Sequence, residues 1–173
     1  MPILVCRRDN VKDLWHRHLG VYGVCVHDGK ILLIHKSRGP YTDRYDLPGG
    51  TVEPNESLVD ALRRECKEET GVHIDVIRNL GVQDYVIPFK LEKRGTTHIH
   101  HIAIYYEIEY VSGELAPSTE MDQNDAVRAE WVDIHKVSLE NSSPLAMQAV
   151  AWLKGEGLKT VEAARVDGWV VKD

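Results

Sequence analysis

The chain has 173 residues, 43% of them hydrophobic and 28% charged, with a formal net charge of −6. That length favours a single domain, taken as residues 1–173, with one substantial core. The negative balance excludes a general affinity for nucleic-acid duplexes, which needs clustered Lys and Arg, but admits a small anionic ligand if a bound cation reverses the local field.

The three cysteines, Cys6, Cys25 and Cys66, are odd in number and form no CxxC pair. They read as reduced thiols of a cytoplasmic protein rather than as a disulfide framework or a zinc site. Residues 1–6 are apolar but too short for a signal segment or a membrane span, and no later run reaches the length of one. Without a secretory signal, the Asn-x-Ser matches at Asn55 and Asn141 carry no weight.

Residues 1–18 give no clear assignment. Residues 21–27 and 30–35 are apolar runs joined by Asp28-Gly29, a strong hairpin signal because both turn residues tolerate positive φ. Residues 37–46 form a loop containing Gly39-Pro40, ending at Leu47-Pro48-Gly49-Gly50. A helix is expected over 57–70, with Ser57 and Asp60 as a capping box and Gly71 as the stop. Strands follow at 72–76 and 82–89, then a turn at 92–95 and a long strand at 96–111. Residues 112–125 read as a polar loop carrying Glu114, Glu120, Asp122 and Asp125. A short strand at 129–134 contains Trp131. A second helix, 144–154, spaces Leu145, Met147 or Val150, and Leu153 on one face. The tail, 160–171, is weakly strand-like. This interleaving predicts an α/β (α+β) fold, a mixed sheet flanked by helices.

The first helix has an unusual face. On a wheel of about 100° per residue, Leu58, Ala61 and Leu62 fall within roughly 60° of Glu65, while Glu68 and Glu69 fall at about −60° and +40°. An apolar stripe therefore continues as a carboxylate cluster. Like charges three and four residues apart repel, the last helical turn favours cations, and carboxylates near a core face are costly to desolvate. One hard divalent cation such as Mg2+ would relieve all three effects. The alternative is a solvated charged face partnered by Arg63, Arg64 and Lys67.

The flanking pattern decides between these readings. Gly50 is followed after five residues by Glu56, and after seven more by Arg64-Glu65-Cys66, then Glu68-Glu69 and Gly71-Val72. This resembles the Nudix box of the Nudix hydrolase family, with Cys66 where the family has a bulky aliphatic; a free Cys behaves as a small hydrophobe. The preceding hairpin, Leu47-Pro48 and Trp131 extend the likeness over most of the chain. The resemblance implies a Nudix-type α/β/α sandwich that hydrolyses a nucleoside diphosphate linked to another moiety. The products would be a nucleoside monophosphate and a second phosphorylated species.

Carried over by position, Glu65, Glu68 and Glu69 would be metal ligands for Mg2+, with Mn2+ as a substitute, and the Gly50 carbonyl would join them. Glu56 would pair with Arg64, a supporting group that orients the ligands. The cation would neutralise charge on the leaving oxygens while a water attacks phosphorus. The base is a box glutamate, Glu68 or Glu69, or an acid of the later loop. There Asp125, near Glu120 and Asp122, sits where many relatives have Glu; the alternative is that all three only solubilise the loop.

Outside the box, Arg38 and Arg44 are candidate phosphate ligands, against a plain surface role. Tyr45 and Tyr41 could stack on a base or cover the core. His98 and His100 share one strand face and His101 the other. One face is expected to line the cleft, with a transition-metal site as the minor alternative. The upstream motif of the coenzyme A type and the later motif of the NADH type are absent. Pro88, sixteen residues past Val72, fits the ADP-ribose type, while nucleoside triphosphates stay equally open. The expected partner is thus a small nucleoside diphosphate derivative, with no membrane and a possible homodimer. The runner-up is a non-catalytic Nudix-fold sensor; the intact glutamates and the lack of an added DNA-binding segment favour the enzyme.

Overall fold

The computed structural model describes residues 14–91, 95–116, 126–158 and 163–172. Strand β1 (Trp15–His27) turns through Asp28 and Gly29, at φ 49° and 74°, into β2 (Lys30–Lys36). The hairpin is as expected, but β1 starts at Trp15 rather than residue 21. Its first half, with polar His16, Arg17 and His18, alternates between exposed and half-buried and so hides its strand character. What makes it a strand is a distant partner: β1 pairs in parallel with β6 (Thr96–Ser112) from Trp15↔His98 to Cys25↔Ile108.

The remaining elements are β3 (Tyr45–Asp46), β4 (Gly49–Thr51), α1 (Leu58–Thr70), β5 (His73–Leu91), β7 (Ala126–Asp133), α2 (Pro144–Leu153) and β8 (Ala164–Arg165). The sheet order is β3-β2-β1-β6-β5-β8, with β4 on β1 and β7 on β2. Two strands had been expected where β5 runs unbroken. The break in pattern at Arg78 to Gly81 is a pair of register shifts, not a turn: Asn79 Oδ1 accepts from the Gly81 N–H at 2.9 Å, and pairing with β6 resumes. Such bulges kink a strand without ending it.

Each sheet face has its own core, giving the expected three layers. One core gathers Tyr22, Leu33, Tyr85 and Tyr105 under Leu145, Ala149 and Val150 of α2. The other gathers Val21, Leu32, Tyr106 and Ile108 under Ala61, Leu62 and Cys66 of α1. A fully buried Leu or Ile contributes about 1.5–3 kcal/mol, so these faces fix where α1 lies. Ser57 caps α1 by accepting from the Asp60 N–H, and Gly71, at φ 80°, ends it. The apolar stripe differs from the wheel in one place. Leu58 is exposed, and Cys66 is buried in its stead. Burial pushes the Cys66 thiol well above its usual range and the Cys25 thiol to about 11, which keeps both inert. Among the described residues, no helix is long and apolar enough to cross a membrane.

Short β4 fixes the glycine turn against the sheet, with Val21 opposite Gly50 and Tyr22 opposite Gly49. Gly49 has φ 139°, and a Cβ there would lie 2.1 Å from the Val21 carbonyl oxygen. Only glycine permits that approach. Gly49→Ala should therefore cost on the order of 2 kcal/mol by forcing β4 off β1. Urea denaturation should show an earlier midpoint, and an unchanged midpoint would mean that the turn adapts.

Candidate active site

The end of α1 meets the glycine turn. The Gly49 N–H donates to Glu69 Oε2 at 2.8 Å. A Cβ on Gly50 would come within 2.9 Å of the Glu65 carboxylate, so the missing side chain is what lets that acid sit against the turn. Lys36, at the end of β2, places Nζ 4.0 Å from Glu69 Oε1. Glu69 is only 3% exposed, and burial pushes its carboxyl to about 8, against the opposing pull of Lys36 and the Gly49 N–H. Glu65 is half-buried and also raised, by burial first, with Arg64 opposing. Glu68 is exposed. The three glutamates thus form a gradient from core to solvent rather than one buried face.

Arg64 is the hub. Its Nε and Nη2 donate to the two carboxylate oxygens of Glu56 at 2.8 and 2.9 Å. Nη1 donates to Glu65 at 2.9 Å and to Glu68 at 3.3 Å, and Nη2 also reaches the Thr51 carbonyl at 3.0 Å. The pairing with Arg64 holds the Glu56 carboxyl below the usual carboxylate range. The expected Glu56–Arg64 pairing is bidentate.

Among the described residues, no three His, Cys, Asp or Glu side chains converge as a formed metal centre. Glu65 and Glu68 direct oxygens at Arg64 instead. The residues nevertheless fit a hard cation on two grounds. The donor set of Glu65, Glu68, Glu69 and the Gly50 backbone is all oxygen. The raised Glu69 and Glu65 carboxyls mark a place where positive charge is wanted.

Beside this corner opens a cleft of about 210 Å³. Its wall includes His18 and Tyr22 of β1, Tyr41 of the loop, His101 of β6, and Phe89 of β5, with Lys36, Arg38 and Asp46 at the polar side. His101 is buried between two hydroxyls, with Nε2 2.8 Å from Tyr22 and Nδ1 2.9 Å from Tyr41. Burial, and then the neighbouring His18, hold its pKa well below the usual value, so the ring is neutral at pH 7. A neutral imidazole has one donor and one acceptor. One tyrosine therefore donates to His101 and the other accepts from it. Asp46 is also buried, and its carboxyl rises to about 6 through desolvation, against Lys36 and the Ser143 hydroxyl, which donates at 2.6 Å.

Other expected residues are dispersed. Arg38 lines the cleft. Arg44 does not: its Nη2 donates to the Val170 carbonyl at 2.8 Å and its guanidinium lies 4.1 Å over the Trp169 ring. Tyr45 donates to Glu130 at 3.0 Å and packs edge-on to His35. The expected His98, His100 and His101 do not form one cluster. His98 stacks on Trp15 and His100 pairs with Asp84 at 2.7 Å, so of these three His101 lines the cleft. Glu120, Asp122 and Asp125 lie outside the described residues, as does Cys6. Lys36, Asp46, His18 and Tyr22 were not anticipated. The available signal for Asp46 was a carboxylate directly before the Leu47 to Gly50 turn; for Lys36 it was a charge closing an apolar strand.

Residues 15–153 match the family model described as NUDIX domain. The chain is 36% identical over 136 residues to the ADP-ribose pyrophosphatase of Methanocaldococcus jannaschii, covering 78% of this chain and 73% of that one. It is 33% identical over 112 residues to the oxidized purine nucleoside triphosphate hydrolase of Danio rerio, covering 65% and 64%. Among solved structures, a NUDIX hydrolase from Nitrosomonas europaea matches with TM-score 0.61 at 23% identity, over 84% of this chain and 94% of that one. The NUDIX domain of Shewanella oneidensis NrtR, solved with ADP ribose, matches with TM-score 0.60 at 19% identity, over 82% and 88%. At those identities the structural likeness is one of fold.

Proposed function

We propose, from the premise that this chain belongs to the Nudix hydrolase family, that it is a pyrophosphohydrolase cleaving ADP-ribose or a close nucleoside diphosphate derivative to a nucleoside monophosphate and a second phosphorylated product. The observation that carries this reading is the junction of a carboxylate-lined glycine turn with a ring-walled cleft. Diphosphate chemistry belongs at the turn, and the organic group belongs in the cleft. The name of the Methanocaldococcus jannaschii relative favours ADP-ribose over a triphosphate, and Pro88 agrees.

A divalent cation, Mg2+ or Mn2+, held by Glu65, Glu68, Glu69 and the Gly50 carbonyl would neutralise diphosphate charge when bound. The protein groups do the rest. Arg64, locked by Glu56, orients Glu65 and Glu68. The Gly49 N–H holds Glu69 in place. Glu68, the most exposed of the three, takes the proton from the attacking water. Lys36 and Arg38 bring positive charge to the phosphate side of the cleft, where Arg38 can bind phosphate oxygens.

The test is a panel of ADP-ribose, nucleoside triphosphates and dinucleoside diphosphates with Mg2+ or Mn2+, read by chromatography of the products. AMP and ribose phosphate are expected from ADP-ribose. Binding of ADP-ribose without any product would convert the reading into a sensor. No turnover of any diphosphate would remove the enzyme assignment.

A further inference from the structure

Residues 163–172 lie beyond the stretch matched by the family, which ends at 153. They are joined to the core at one end through β8 on β5, where the Val166 N–H also donates to the Val86 carbonyl at 3.1 Å. At the other end they grip the 37–46 loop. Trp169 Nε1 donates to the Pro40 carbonyl at 2.7 Å. Its ring stands edge-on to Tyr41, centroids 5.9 Å apart at 87°. Its face carries the Arg44 guanidinium, and Lys172 Nζ donates to the Asp43 carbonyl at 3.3 Å.

We propose that Trp169 is a positioning residue for the substrate cleft, acting through Pro40 and Tyr41 on the wall that receives the group beyond the diphosphate. The inference rests on the preceding reading of the cleft. Pro40 and Tyr41 both line it, and the Tyr41 hydroxyl is bonded to His101. Gly39, at φ 86°, accepts from the Thr42 N–H and hydroxyl, and the base of the loop is closed by the Asp43 N–H to the Lys36 carbonyl at 2.9 Å. Arg44, at the far end of the loop, is tied to the same segment, with Nη2 on the Val170 carbonyl and its guanidinium on the Trp169 face. In the middle of the loop, His101 holds the Tyr41 hydroxyl, and Trp169 holds the Pro40 carbonyl and packs against the Tyr41 ring. Tryptophan suits the task because it offers an indole donor, an edge and a cation-binding face at once.

Three variants separate positioning from bulk stability: Trp169→Ala, Trp169→Phe, which keeps a ring but loses the donor, and Val166→Ala, which loosens the same segment away from the loop. With ADP-ribose as substrate, Trp169→Ala should raise KM about 10-fold and leave kcat within about twofold, with Trp169→Phe in between. Val166→Ala should leave KM within about twofold whatever its thermal midpoint. Hydrogen exchange at the Thr42 and Asp43 amides should quicken in Trp169→Ala and not in Val166→Ala. An unchanged KM in Trp169→Ala, or a KM that follows thermal stability across all three, overturns the proposal. If the wild-type protein cleaves no member of the substrate panel, the functional reading fails separately. The exchange rates alone then decide whether Trp169 positions the wall.

Discussion

Glu69→Gln is expected to lower kcat by about 10³-fold while making the cation-free protein more stable. The activity loss follows from removing one negative ligand at the turn, where several kcal/mol of charge stabilisation are in play and each 1.36 kcal/mol is tenfold. The stability gain follows from the position of the carboxyl. Its ordinary value is 4.5 and here it is about 8, because burial penalises the ionised form. The folded state therefore binds that proton more tightly than the unfolded chain. The resulting stability is fully present below about 4.5 and is lost as pH rises through about 8. At pH 7 the penalty is on the order of 3 kcal/mol. Glutamine carries no charge at any pH and keeps an oxygen for the Gly49 N–H. In chelator, wild-type unfolding free energy should fall between pH 5 and pH 8 while that of the variant stays flatter. Adding Mg2+ should restore the wild type through linkage and leave the variant unmoved. Equal pH slopes for the two proteins would show that the Glu69 carboxyl is not the strained group.

Arg64→Lys should cost about 100-fold in kcat/KM although charge is conserved. Arginine meets both oxygens of Glu56 while another nitrogen reaches Glu65 and Glu68. Lysine has a single nitrogen and cannot hold three carboxylates in a fixed geometry. Glu56→Gln weakens the same lock from the other side, so the two substitutions should not add. The double variant should be about as impaired as Arg64→Lys alone, because one network is broken once. Additive losses in steady-state kinetics would mean that Glu56 acts independently of Arg64.

What could be read in advance divides by distance along the chain. The hairpin at Asp28-Gly29, the Ser57 cap and the Gly71 stop are local signals, and each stands where expected. The placement of Glu65, Glu68, Glu69 and Arg64 at the end of α1 was legible from their spacing, but the descent from buried Glu69 to exposed Glu68 was not. Arg44 was misplaced for the opposite reason. Its neighbour, the glycine turn, suggested phosphate binding, whereas its actual partners are Trp169 and Val170, far along the chain. His101 shows a mixed case. Strand alternation separates it from His98 and His100, but nothing local reveals that Tyr22 and Tyr41 will close on its two nitrogens. The first half of β1 stayed hidden because polar residues form a strand there only once β6 lies beside it.

That parallel pairing of β1 with β6 orders events during folding. The hairpin of β1 and β2 closes through two residues and can form within microseconds. The glycine shelf rests on β1 beside β2, yet the opposite edge of β1 stays unpaired until residues 98–108 arrive. Closing so long a loop costs chain entropy before any contact rewards it. During synthesis β1 waits for about eighty residues after its own end before β6 can complete its pairing. The shelf that carries the carboxylate corner is thus backed on both edges of β1 only once β6 has docked.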